Sequence, residues 1–176
     1  ESILDEAFEK SFIDKYKKIQ DAGLIVCQTH LTYYPGHLKP LGNGTYVDFE
    51  KYMLPIFIRE IEMTAKMNCN TAVIHLYFDK DRENSKKSNI ELIKKLLPVL
   101  EKNNVILAIE NIYGPEFGDA HLSTAEDLLY YTDYFNDEHV GICLDTGHAI
   151  ARKENPIKMV EKLNKNIKAL HLHSNV

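Results

Sequence analysis

The sequence predicts an α/β fold on parallel strands, as an open sheet or a barrel. Five short apolar runs alternate with amphipathic segments of helical period. The runs show little polar alternation, the pattern of strands buried on both faces. A third observation agrees with these two. Each run ends, at its C-terminal edge, in His, Glu or Asp, and ligands of parallel α/β folds bind at that edge. No linker or low-complexity segment divides the chain, so residues 1–176 read as one domain.

The elements follow in order. Residues 1–22 place Leu4, Phe8, Phe12, Tyr16 and Ile19 three or four apart, one face of a helix that Gly23 stops at C′. Leu24–Cys27 is the first strand run, leading through Gln28 and Thr29 to His30. Leu31 to Val47, with Pro35, Gly36, Pro40, Gly42, Asn43 and Gly44, reads as a long loop. Asp48 can cap a second helix to about Met67, with Pro55 marking a kink or a separate first turn. Thr71–Ile74 is a strand ending at His75. A polar loop over Asp79–Ser88 leads to a helix from Asn89 to Lys102, with Pro98 as a second kink candidate. Val105–Ile109 ends at Glu110, and a loop follows through Tyr113, Gly114, Pro115 and Gly118. Ser123-Thr124-Ala125-Glu126 has capping-box spacing and opens a helix to Phe135. Val140–Leu144 ends at Asp145. Asn155-Pro156 opens the last helix with Pro at N1, and Ile167–Leu170 ends at His171.

Composition removes several classes of function. The formal charge is −5, and 44% of residues are hydrophobic against 27% charged. No basic block offers a broad surface to nucleic acid. No apolar run is long enough to span a bilayer. Glu1 and Asp5 stand where a signal peptide would carry Lys or Arg. Three cysteines without regular spacing make neither a disulfide framework nor a thiolate zinc cluster. Cys27, Cys69 and Cys143 read instead as small buried residues. A cytoplasmic protein without membrane partners is expected. His37, His121 and His139 lie in predicted loops without a motif and read as solvent-exposed.

His30, His75, Glu110, Asp145 and His171 are therefore the informative residues. One such side chain after a strand is ordinary capping. Five in succession match the imidazole and carboxylate donors that hold Zn²⁺, Mn²⁺ and related ions. Tyr33, Tyr34, Tyr77, Tyr113 and Phe117 lie just beyond strand ends, where aromatics could wall a ligand pocket or simply pack the loops.

Ala108-Ile109-Glu110-Asn111 resembles the fourth-strand motif of the xylose isomerase-like barrels. Cys143-Leu144-Asp145-Thr146-Gly147-His148-Ala149 resembles their fifth-strand Asp-Thr-x-His motif, and Lys168 to His173 their sixth-strand histidine motif. Thr29 to Pro35 and Val73-Ile74-His75 fit the second and third strands. That superfamily holds sugar isomerases and epimerases, inositol-pathway enzymes and endonuclease IV-type apurinic-site endonucleases. The resemblance implies a (β/α)₈ TIM-barrel type, present as an incomplete barrel of about five parallel strands, apparent strands 2–6. It implies Glu110, Asp145 and His171 as ligands of a catalytic divalent ion (Mn, Zn, Mg or Co). Glu110 and His148 would be catalytic. His30, His75 and His148 would contact substrate, or His30 and His75 would bind further zinc as in the endonucleases. His171 and His173 share one strand face and compete for the ligand role, His171 being preferred because it directly follows the apolar run. Ser174 stands where many relatives have Asp.

The implied activity is metal-dependent isomerisation or epimerisation of a sugar or sugar phosphate through an enediolate. Proton exchange would use a fourth-strand and an eighth-strand carboxylate. The alternatives are zinc-dependent cleavage at apurinic sites, against which the charge of −5 counts, and a non-catalytic binding module on the same scaffold. A complete barrel takes roughly 250 residues. The resemblance leaves the first, seventh and eighth strands unrepresented, and five strands cannot close a barrel. The chain is thus expected to be part of a longer protein, or to close its sheet on a second copy as a homo-oligomer.

Overall fold

The structure is a computed structural model and describes residues 3–32, 49–77, 81–113 and 122–173. Five parallel strands pair in sequence order: β1 (Thr29–His30), β2 (Thr71–Ile74), β3 (Ile106–Glu110), β4 (Val140–Asp145) and β5 (Ile167–His171). Helices connect them: α1 (Glu6–Asp21), α2 (Phe49–Lys66), α3 (Arg82–Asn103), α4 (Ala125–Phe135), α5 (Thr146–Ala151) and α6 (Pro156–Leu163). β2 and β5 touch although two strands lie between them, so the sheet is curled into a partial TIM barrel.

Several ends follow sequence chemistry closely. Gly23, at φ +74°, donates to Gln20 O and Leu24 donates to Ile19 O, a Schellman stop for α1. The Tyr16 hydroxyl then ties α1 to the Met67 carbonyl. Asn155 caps α6, with Pro156 at N1. The α4 capping box is Thr124 with Asp127, one residue later than the spacing from Ser123 to Glu126 suggested. Pro55 and Pro98 both lie inside continuous helices.

Three elements differ from expectation for local physical reasons. Leu24–Cys27 forms no strand. Its residues have no ladder partner among the described residues, and Ile25 is 89% exposed. β2 begins only at Thr71, and its pairing with β1 reaches no further back than Thr29. Helix α3 begins at Arg82, not Asn89, because Asp81 accepts from the Glu83 and Asn84 amides and caps a segment that composition marked as loop. Helix α5 was not expected; Asp145 caps it at once by accepting from His148 N. Cys27 is exposed, whereas Cys69 and Cys143 are buried as expected. His139 is half-buried against Asp137 rather than exposed. Asp48, Tyr33, Tyr34, His37, Phe117, His121, Ser174 and most of the long loop lie outside the described residues.

Alternation along the strands separates two interiors. Ala72, Ile74, Leu107, Ile109, Ile142 and Leu144 face the helices and join the main core. Val73, Ala108, Cys143 and Ala169 form a separate buried layer on the concave face. One step further along that face stand His75, Glu110, Asp145 and His171. No helix among the described residues is long and apolar enough to cross a membrane.

Candidate metal centre

Parallel register delivers the strand-end side chains to one place. Val73 lies opposite Ala108, Glu110 opposite Cys143, and Asp145 opposite His171. His75, Glu110, Asp145 and His171 each lie two positions beyond a small residue of the concave layer, so these four project to the same side.

Glu110 is the focus. It is 1% exposed. Its Oε2 lies 3.1 Å from His30 Nε2 and 2.8 Å from His75 Nε2. Its Oε1 lies 2.9 Å from His171 Nδ1 and 3.5 Å from His148 Nδ1. Asp145 Oδ1 accepts from His148 N at 2.8 Å, which leaves Oδ2 facing the rings. There Oδ2 is 3.0 Å from His173 Nε2, 3.7 Å from His171 Nδ1 and 3.8 Å from His148 Nδ1. The His30 ring stands edge-on to His75 with centroids 4.8 Å apart, and stacks at 5.9 Å on His171. All six predicted residues thus meet in one cluster. His173, the weighed competitor of His171, joins it through Asp145.

The electrostatics follow from this crowding. Burial, the largest influence on Glu110, pushes its carboxyl up. The hydrogen bonds of His30, His75 and His171 and the charge of His75 outweigh it, and Glu110 is held well below the usual carboxylate range. The hydrogen bond to Glu110 raises His30 above the ordinary imidazole value, against the effect of burial. Burial, then the charges of Glu110 and Asp145, push the Cys143 thiol up, so it stays protonated.

Hydrogen-bond accounting tests whether a cation fits. His30 Nδ1 lies 2.7 Å from the Leu31 carbonyl and must donate there. A neutral His30 then turns a lone pair at Nε2 toward Glu110 Oε2, itself only an acceptor. Two acceptors at 3.1 Å need a cation between them or a second proton on the ring. Donor atoms of His30, His75 and Glu110 lie within 4.8 Å of one another, as do those of Glu110, Asp145 and His148, and of Glu110, Cys143 and His171. Imidazole with carboxylate suits Zn²⁺ or Mn²⁺. The donor set fits a divalent ion.

His148 is held differently. Its Nδ1 donates to the Asn111 carbonyl at 2.8 Å, so Nε2 is the free acceptor nitrogen. Asn111, Thr146 and Cys143 were not singled out from sequence. Thr146 Oγ1 accepts from His173 N at 3.0 Å and steadies the end of β5. Cys143 could have been found from its period-two relation to Asp145, and Asn111 from its place beside Glu110 in the motif. Tyr113 is exposed, and the backbone of Tyr77 is clasped by the Asn89 side chain.

The family model described as xylose isomerase-like TIM barrel matches residues 7–176. No curated protein sequence matches. Among solved structures, a D-tagatose 3-epimerase-like protein superposes with TM-score 0.77 at 18% identity, covering 98% of this chain and 63% of the other. The 3-keto-D-glucoside 4-epimerase of E. coli gives TM-score 0.77 at 15% identity, covering 97% of this chain and 66% of the other. A zinc-bound IolI protein gives 0.68 at 19% identity, covering 90% and 54%. The chain therefore spans less than two thirds of the length of these structures.

Proposed function

The chain belongs to the xylose isomerase-like TIM barrel family, and from that premise we propose that it carries the metal half of a sugar or sugar phosphate isomerase or epimerase. The observation that supports this most is the buried Glu110 carboxylate at the focus of imidazoles from three other strands, one of which has its Nδ1 proton committed elsewhere. Glu110, Asp145 and His171 are the proposed ligands of the ion. A divalent ion bound there supplies Lewis acidity toward a substrate carbonyl and its neighbouring hydroxyl.

The chain's own groups do the rest. His148, fixed through Nδ1, offers Nε2 to a substrate hydroxyl. His30 and His75 line the same concavity as substrate contacts. Glu110 takes the proton from the carbon beside the carbonyl, leaving an enediolate. Return of the proton to the opposite face of that carbon gives an epimer, and return to the adjacent carbon an isomer. Protonated imidazoles weaken Glu110 as a base, so this role requires them neutral. On this reading the opposite-face carboxylate is the eighth-strand one that the family resemblance implies.

The test is solvent exchange. Protein loaded with Mn²⁺, Co²⁺ or Zn²⁺ is incubated with unphosphorylated and phosphorylated ketoses in D₂O, and NMR follows deuterium at the carbon beside the carbonyl. Deuterium uptake that Glu110→Gln abolishes is expected. No uptake from any ketose, despite bound metal, refutes the assignment. A second reading, cleavage at apurinic sites by a zinc cluster, draws on the separate grouping of His30 and His75 on Glu110 Oε2. Incision of an abasic duplex by the zinc-loaded protein would establish it instead.

A further inference from the structure

We infer that Asn111 is a positioning residue that sets Asp145 and His148 relative to Glu110, an inference resting on the metal-centre reading above. The β3–β4 ladder ends at the Glu110–Cys143 pair, so Asp145 lies two residues beyond backbone pairing with β3. Asn111, fully buried, takes over there. Its Oδ1 accepts from Asp145 N at 2.7 Å and its Nδ2 donates to Asp145 O at 2.9 Å. The side-chain amide thus pairs with both backbone groups of Asp145, as a further strand residue would. The Asn111 carbonyl also takes the His148 Nδ1 proton at 2.8 Å, selecting the tautomer that leaves Nε2 free.

One residue, covalently next to Glu110, therefore indexes the second carboxylate and the substrate-facing imidazole to the first. Asp145 in turn caps α5 with Oδ1, and that bond holds Oδ2 toward the rings. Residues that orient metal ligands in this way are typically worth about 10–100-fold in metal affinity.

Two measurements on the full chain test the role. Mn²⁺ alone is titrated calorimetrically into wild type, Asn111→Ala and Asn111→Ser, and backbone amide exchange is followed by residue. The alanine variant is expected to bind Mn²⁺ about 10–100-fold more weakly. Its Asp145 and His148 amides should lose protection while β2 and the rest of β3 keep theirs. The serine variant, able to engage one Asp145 group, should fall between. Mn²⁺ affinity equal to wild type, or unchanged exchange at Asp145 and His148, overturns the inference. If Asn111→Ala does not fold, Asn111→Ser is judged by the same two criteria. If wild type itself binds no Mn²⁺, the proposed function fails, and exchange at Asp145 and His148 alone decides the positioning role.

Discussion

Replacing Glu110 with Gln separates the two kinds of cation that the cluster can hold. In the metal-free protein His30 is the protonated partner, with Nδ1 on Leu31 O and Nε2 on Glu110 Oε2. Its folded pKa is raised, so its contribution to stability is complete below about pH 6.5 and is lost as pH rises through the folded value. Glu110 is depressed, so its contribution is present above about pH 4.5 and lost as pH falls. Metal-free wild type should therefore be most stable in mildly acid solution. A divalent ion bound to Glu110 competes for that carboxylate with the proton on His30, so its stabilisation should grow from pH 6 to pH 8. Metal at 1,000 times its Kd is worth about 4.1 kcal/mol. At about 2–4 °C per kcal/mol for a chain of this size, the Tm should rise by about 8–16 °C at pH 8. The glutamine keeps the shape and removes the charge. Loss of charge-assisted hydrogen bonding should cost the metal-free protein about 1.5–3 kcal/mol, flatten its pH profile and erase the metal-induced shift. Differential scanning fluorimetry over pH 5–8, with and without Mn²⁺ or Zn²⁺, reads all three. A Glu110→Gln protein that keeps the metal shift, or a wild-type shift that does not grow with pH, would refute the reasoning.

Two further substitutions test the frame around the site. Tyr131 is buried, and its hydroxyl accepts from Asn89 Nδ2 at 3.2 Å, so Tyr131→Phe should cost about 0.5–1.5 kcal/mol in urea unfolding at pH 7. Burial pushes this hydroxyl up to about 12. The folded protein thus holds the proton more tightly than the unfolded chain, and stability falls as pH rises above about 10. The gap to Tyr131→Phe should narrow there; a gap that widens contradicts the assignment. A Cβ on Gly141 would overlap Lys168 Cγ, which the extra residue between the Ile142–Ile167 and Cys143–Ala169 pairs brings across it. Gly141→Ala should cost about 1–3 kcal/mol, and adding Lys168→Ala should recover most of the loss. Additive costs in the double-mutant cycle would show that the two residues do not meet.

Much of this arrangement was legible because strand-end chemistry is read one residue at a time. His75, Glu110, Asp145 and His171 follow apolar runs of strand length, and parallel pairing carries such ends to one edge whatever the loops do. His30 was found at the right place for a partly wrong reason. The apolar run before it is not a strand, because β2 starts too late to pair with it, and only Thr29 and His30 join the ladder. What composition hid was polar structure. Asp81 turns a charged segment into the first turns of α3, and Asp145 both faces the cluster and caps α5. Asn111 stood in view beside Glu110, but its pairing with Asp145 was hidden for a related reason: whether an amide pairs with solvent or with a neighbouring peptide depends on where the next strand stops, and sequence period does not record that.

The concave face also explains why a carboxylate can be buried here at all. An unpaired Glu at this depth would lose several kcal/mol of hydration and take up a proton instead. Glu110 remains ionised because imidazoles reach it from β1, the end of β2, β5 and α5, and they can do so only where little else fills the concavity. Val73, Ala108, Cys143 and Ala169 provide that room: the layer beneath the cluster is made of small side chains, while Ile74, Leu107, Ile109, Ile142 and Leu144 lie on the helix-facing side. The same strands thus place their large residues outward, where burial stabilises the fold. Inward they place small residues surmounted by His, Glu or Asp, where the buried carboxylate needs a proton, or the proposed metal, beside it. A substitution enlarging the inner layer, such as Ala108→Leu, would thus be felt first by the cluster above it, through displaced imidazoles and weakened metal binding, and only secondarily by the helix-packed core.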